Sequence, residues 1–173
     1  MLEGNIILCG FMGSGKTSIG RRVAKKLGKR FCDLDQYIEK KLGMSVSQIF
    51  EQAGEAGFRR EETEAVREIA GRQDYILACG GGTVLFPQNV ELLHRGGGTI
   101  LYLDVPLAAL QERLKNDRKR PLLQVPDRRA VIAELYEKRC PQYRRAADMA
   151  VDAGAPACVV AARIAKLAYD LER

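Results

Sequence analysis

The stretch Gly10-Phe11-Met12-Gly13-Ser14-Gly15-Lys16-Thr17 constrains this chain more than any other. Glycine holds its first and sixth positions, and Lys-Thr follows. That is the pattern of a phosphate-binding loop, which needs a strand before it and a helix after it. Both flanks are present. Asn5-Ile6-Ile7-Leu8-Cys9 is a short apolar run that reads as a buried strand. Ile19, Val23 and Leu27 recur every four residues, so the loop opens a helix, with Gly28 as its C-cap. Glycines let successive N–H groups converge on a phosphate, and the helix N-terminus adds unpaired donors and a positive end. Lys16 is then placed to reach the β- and γ-phosphates and the Thr17 hydroxyl to ligate Mg²⁺.

At 173 residues one domain is expected, spanning 1–173. With 46% hydrophobic and 29% charged residues, the chain falls among soluble globular proteins. No apolar run reaches the length of a membrane span. Met1-Leu2-Glu3-Gly4 has no basic flank or cleavage site, so no secretion signal is expected. The cysteines, Cys9, Cys32, Cys79, Cys140 and Cys158, are odd in number and contain no C-x-x-C pair. This favours a reduced, cytoplasmic protein. The lone His94 has no second ligand candidate and is expected near the end of a surface helix. The net charge of +6 suits anionic ligands, and it raises nucleic acid as a partner. The aromatic residues, however, are not interleaved with the basic ones as in a nucleic-acid motif.

Along the rest of the chain, Arg30-Phe31-Cys32-Asp33-Leu34-Asp35 reads as a short strand ending in two acids. Asp33 and Asp35 would share one face of it, with Asp35 a possible cap for the next helix. Ser45 and Gln48 form a possible capping box for a short helix. Gly54 and Gly57 are read as breaks, and a stronger helix is expected from about Phe58 to Ala70. Tyr75–Cys79 is the next buried strand, followed by Gly80-Gly81-Gly82-Thr83, where something can approach the backbone closely. Pro87 suits the first turn of a helix, and Gly96-Gly97-Gly98 reads as punctuation. Thr99–Asp104 is a further strand, and its terminal acid is read either as a Mg²⁺ ligand or as a cap for the helix through Leu107, Leu110 and Leu114. Residues 115–125 read as a basic, mobile loop, either a plain surface loop or a lid that brings an arginine onto the phosphates. Asp127 caps a helix with Arg139 near its end before Pro141. Met149–Asp152 is the last strand, and Val160, Ile164, Leu167 and Leu171 mark the last helix. Strands and helices alternate throughout, so the class is α/β with a parallel sheet.

The ordered combination resembles the shikimate kinase family over essentially the whole length. The marks are Gly10–Thr17, Asp33-Leu34-Asp35, Phe58-Arg59 with Glu62, Gly80-Gly81-Gly82, Arg120-Pro121-Leu122-Leu123, and Leu135-Tyr136 leading to Arg139, Pro141 and Tyr143. The resemblance implies a three-layer α/β/α fold like that of the nucleoside monophosphate kinases. Its five parallel strands would run in the order 2-3-1-4-5, with a lid at about 115–125. It implies transfer of the γ-phosphate of ATP to the 3-hydroxyl of shikimate, on the route to chorismate and the aromatic amino acids, by a cytoplasmic monomer.

Carried over by position, Gly13, Ser14, Gly15, Lys16, Thr17 and Ser18 would bind the phosphates of ATP. Arg113 and Pro156 would lie on the adenine side. Asp35 would hold the shikimate hydroxyls and is the candidate base. Arg59 and Arg139 would grip the substrate carboxylate, and Gly80, Gly81 and Gly82 would offer backbone to the ring. Phe58 and Glu62 would line or support that pocket. Arg120 would be the lid arginine, and Lys16, Asp35 and Arg120 would carry the chemistry. Thr17 and Asp33 would organise Mg²⁺, which takes the metal role away from Asp104. A guanidinium fork suits a carboxylate, and phosphoryl transfer needs positioning and charge neutralisation above all. Three rival readings are a gluconate or nucleoside monophosphate kinase, a nucleotide-binding module that has lost catalysis, and a nucleic-acid binder. The acceptor-side residues disfavour the first, the complete set of chemical positions the second, and only net charge suggests the third.

Overall fold

The computed structural model describes residues 4–118 and 123–170. The strands are β1 (Ile6–Cys9), β2 (Arg30–Asp33), β3 (Tyr75–Ala78), β4 (Thr99–Asp104) and β5 (Met149–Asp152). The helices are α1 (Lys16–Leu27), α2 (Leu34–Leu42), α3 (Val46–Ala70), α4 (Pro87–Arg95), α5 (Leu107–Leu114), α6 (Arg128–Ala146) and α7 (Ala157–Asp170). All strand pairs are parallel, in the order β2-β3-β1-β4-β5. This is the topology that the sequence led us to expect.

Ile6, Ile7, Leu8 and Cys9 are each at most 1% exposed. Successive side chains of a strand point to opposite faces, so a strand buried at every residue must be covered on both. Helices supply that cover. α1 packs on α7 and on β1, β2 and β3, whereas α3 packs on α4, and α4 and α6 pack on β4. The outcome is a three-layer α/β/α domain. Crossovers in such a sheet leave a crevice at the carboxyl ends of the strands, on either side of the reversal in strand order at β1. The loop after β1 and the glycine triplet after β3 both open there.

Four local expectations are corrected. β2 ends at Asp33, because Asp33 itself caps α2: its Oδ1 accepts from the Gln36 N–H at 3.2 Å. Asp35 therefore lies in the first helical turn, not on the strand, and it is not the cap. Second, Gly57 does not break the chain. α3 starts at the Ser45–Gln48 capping box and runs to Ala70, with one non-helical residue, Gly54, at φ 67°. Gly57 stays helical because its missing Cβ is what lets the Ala53 methyl sit against it, so Phe58–Glu62 fall inside a helix. Third, Asp104 neither caps α5 nor joins the phosphate loop, since its carboxylate is held by Arg144. Fourth, α6 continues past Pro141 to Ala146. Packing outweighs the lost N–H there, because Cys140 and Tyr143 are buried and Tyr143 stacks on Tyr102 with centroids 5.8 Å apart.

Candidate active site

The phosphate loop is shaped by its glycines. Gly13 and Gly15 have φ of 78° and 91°, a region in which a side chain would be strained. Gly15 is the N-cap of α1 and offers no side-chain cap, and the first turn of α1 carries no acid. The helix thus presents open N–H donors and an uncompensated positive end to the crevice. The Ser14 hydroxyl is buried and has no hydrogen-bond partner among the described residues. Lys16 folds back along the loop, its Nζ donating to the carbonyls of Gly10 at 2.9 Å and Phe11 at 3.1 Å.

Two cavities meet at this loop and share Gly13 and Gly15. One, of about 470 Å³, is bounded by Ser14, Arg113 and the turn from Ala153 to Ala157, which includes Pro156. Arg113 braces it, donating to the carbonyls of Gly13 at 3.1 Å and Ala153 at 3.3 Å. The other, of about 400 Å³, gathers Lys16, Thr17, Ser18, Asp33, Asp35, Gly80 and Gly81, with Met12 and Cys79. Within it the Thr17 hydroxyl donates to Asp33 Oδ2 at 2.6 Å. These are hard oxygen donors from two elements, the set that Mg²⁺ prefers.

Asp35 is carried to the same cavity by the first turn of α2. Burial pushes its carboxyl pKa up to about 6, aided by the charges of Asp33 and Glu62 and opposed by Lys16. It lies against the first glycine of the triplet: a Cβ on Gly80 would sit 2.8 Å from Asp35 Oδ1. The third glycine meets Arg59 in the same way, since a Cβ on Gly82 would be 2.6 Å from Nη2 and 2.7 Å from Nη1. Between them, the Gly81 carbonyl accepts from the Tyr143 hydroxyl at 2.5 Å. Burial raises the pKa of that phenol, and the neighbouring Arg139 opposes the rise. Each residue of the triplet therefore adjoins a different partner. Asp35, Tyr143 and Arg59 thus meet one short backbone segment, whose first and third residues leave no room for a Cβ beside Asp35 and Arg59.

Arg59 is clamped from several sides. Its Nη1 donates to Glu62 Oε2 at 2.8 Å, and the guanidinium lies 5.3 Å from the Phe58 ring and 5.1 Å from that of Phe86. Phe58 is a core residue, stacked on Phe50 with centroids 4.8 Å apart, so it supports Arg59 from below. Arg120 lies outside the described residues.

Sequence reasoning missed several contributors. Thr83 and Phe86 follow the triplet and could have been noticed by proximity, and Tyr143 was visible only as a motif letter. Arg128 carried no signal at all. Its guanidinium donates to the carbonyls of Leu114, Lys115 and Leu123, gripping the chain on both sides of residues 119–122.

A glycine loop at the carboxyl edge of this parallel sheet, with the carboxylates of Asp33 and Asp35 lining the adjoining cavity and Arg59 against the glycine triplet, is the architecture of a P-loop phosphotransferase. A family profile described as shikimate kinase matches residues 12–168. The chain is 48% identical over 149 residues to the shikimate kinase of Aromatoleum aromaticum, covering 86% of this chain and 85% of that one. It is 45% identical over 153 residues to that of Nitrosomonas europaea, covering 88% and 72%. A solved shikimate kinase of Acinetobacter baumannii, in complex with shikimate, superposes with a TM-score of 0.89 at 37% identity, over 98% of this chain and 94% of that one. The chain belongs to the shikimate kinase family.

Proposed function

We propose that this enzyme transfers the γ-phosphoryl group of ATP to the 3-hydroxyl of shikimate, giving shikimate 3-phosphate and ADP on the route to chorismate and the aromatic amino acids. The observation that carries this reading is the glycine triplet. It meets an acid for hydroxyls, Asp35, an arginine for a carboxylate, Arg59, and the hydroxyl of Tyr143, the neighbour of Arg139, beside a phosphate-binding loop. Shikimate presents hydroxyls and a carboxylate on one ring. Arg59 and Arg139 hold the carboxylate, and the triplet backbone lies against the ring. Asp35 receives the attacking hydroxyl. Its raised pKa suits a group that takes up a proton near neutrality. Lys16 and the open end of α1 hold the phosphates in line with that hydroxyl. Arg113 and Pro156 border the adenine.

The Thr17–Asp33 oxygen pair fits Mg²⁺; when bound, the ion would neutralise phosphate charge. Arg120 keeps the lid role that its place before Pro-Leu-Leu implies. The protein is proposed to act as one domain, 1–173, and as a monomer without nucleic acid or membrane. All five cysteines are free, which supports a reducing, cytoplasmic setting. Among the described residues no helix is long and apolar enough to cross a membrane.

The test is ATP consumption with Mg²⁺, comparing shikimate, gluconate, AMP and no acceptor. Turnover with shikimate alone supports the assignment. Turnover with another acceptor keeps the phosphate site and overturns the acceptor site, and ATP binding without turnover favours a module that has lost catalysis.

A further inference from the structure

Behind Arg59 lies a row of buried polar side chains of which only Glu62 has so far been given a part, as support for the acceptor pocket. Glu62 and Thr83 are 0% exposed and Asn89 is 1% exposed. The Thr83 hydroxyl donates to Glu62 Oε1 at 2.8 Å, and Arg59 donates to the other oxygen, Oε2, at 2.8 Å. The Asn89 amide donates to the Thr83 carbonyl at 2.9 Å, and Thr63 donates to Asn89 Oδ1 at 2.9 Å. We propose that Thr83 is a positioning residue for the acceptor: its hydroxyl fixes the plane of the Glu62 carboxylate, and through Glu62 the angle at which Arg59 faces the substrate. This rests on the acceptor reading given above.

A carboxylate rotates about its last bond unless both oxygens are held, and here each oxygen has its own donor. Burying that charge is costly unless donors satisfy it. Arg59 has little else to set its orientation. The Phe58 and Phe86 rings restrain it through their faces without specifying where its N–H bonds point. Its remaining partner, Glu55, is 3.4 Å away and 68% exposed. Among the described residues Arg59 Nε is buried without a partner, so the Glu62 anchor is what directs the guanidinium. Thr83 is itself tied to the triplet, because its N–H donates to the Gly80 carbonyl at 3.3 Å and Asn89 holds its own carbonyl. The residue therefore fixes the arginine relative to the backbone that the substrate ring meets. A hydrogen bond to a buried charge of this kind is worth enough to shift an affinity about tenfold or more.

Valine has the shape of threonine without the donor, and serine has the donor without the methyl. A hydroxyl role and a packing role therefore predict opposite orders. Steady-state kinetics are measured for the wild type and for Thr83→Val and Thr83→Ser, with thermal unfolding of each. The expected result is a KM for shikimate raised about tenfold or more in Thr83→Val, an unchanged KM for ATP, and Thr83→Ser close to wild type. If Thr83→Val does not fold, Thr83→Ala against Thr83→Ser makes the same comparison. A silent Thr83→Val, an equal rise in both KM values, or Thr83→Ser as impaired as Thr83→Val would overturn the proposal. A wild-type enzyme that does not phosphorylate shikimate is a different failure, that of the acceptor reading itself, and the wild-type control reveals it first.

Discussion

Thr17 and Asp33 are joined by a 2.6 Å hydrogen bond between the start of α1 and the end of β2, although the sequence separates them by a helix and a turn. Asp33 spends its other oxygen on capping α2, so its orientation is set before any ligand binds. In the proposed reading the pair would hold a hard cation beside the phosphates. Thr17→Val should raise the Mg²⁺ concentration needed for half-maximal turnover about tenfold, with Thr17→Ser much closer to wild type. A Mg²⁺ titration of the initial rate at fixed ATP and shikimate measures this.

If Asp35 receives the proton as proposed, it should govern the acid side of the rate profile. Burial, with Asp33 and Glu62 nearby, lifts its pKa to about 6, so kcat/KM for shikimate should fall as pH drops through that value. Asp35→Asn should lose turnover by about two orders of magnitude or more, and the acid limb with it. Near-normal turnover with weakened shikimate binding would show that alignment of the hydroxyl, rather than proton transfer, is its contribution.

The same shift makes a stability prediction of definite sign. A carboxyl whose folded pKa lies above its ordinary 3.8 holds its proton more tightly when folded. Stability is therefore lost as pH rises from about 3.8 to about 6, and the loss is complete above that. Asp35→Asn removes this penalty. Its unfolding midpoint should exceed that of wild type at neutral pH, and the advantage should vanish in acid. Differential scanning calorimetry across that window reads it directly.

Gly82→Ala places a methyl 2.6 Å from Arg59 Nη2, and the guanidinium must turn away. The KM for shikimate should rise about tenfold or more with that for ATP unaffected. An equal effect on both substrates would mean that the substitution disturbs the sheet rather than the acceptor pocket.

Arg113 braces the cavity by donating to the carbonyls of Gly13, Ala153 and Gly154. Arg113→Ala should weaken ATP binding several-fold, by about 1 kcal/mol, and leave shikimate affinity alone. Calorimetric titration with a non-hydrolysable ATP analogue and, separately, with shikimate distinguishes the two.

Much of this was legible in the chain. The apolar run before Gly10 and the four-residue spacing of Ile19, Val23 and Leu27 specify strand, loop and helix, because local periodicity and glycine chemistry are properties of adjacent residues. The alternation of strands and helices set the class, and the ordered motifs set the family and with it the strand order. What the tertiary structure decided are relations across the crevice. That α6 runs through Pro141 and that Asp104 serves Arg144 depend on distant packing partners outweighing local preference, whereas Asp33 rather than Asp35 caps α2 through a local bond that the end of β2 positions. The alliance of Thr83, Glu62 and Arg59, and the hold of Arg128 on Leu114 and Leu123, likewise exist only once the sheet has assembled. A sequence states which donors and acceptors a chain owns. Which of them are buried together, and must therefore pair, is settled by the fold.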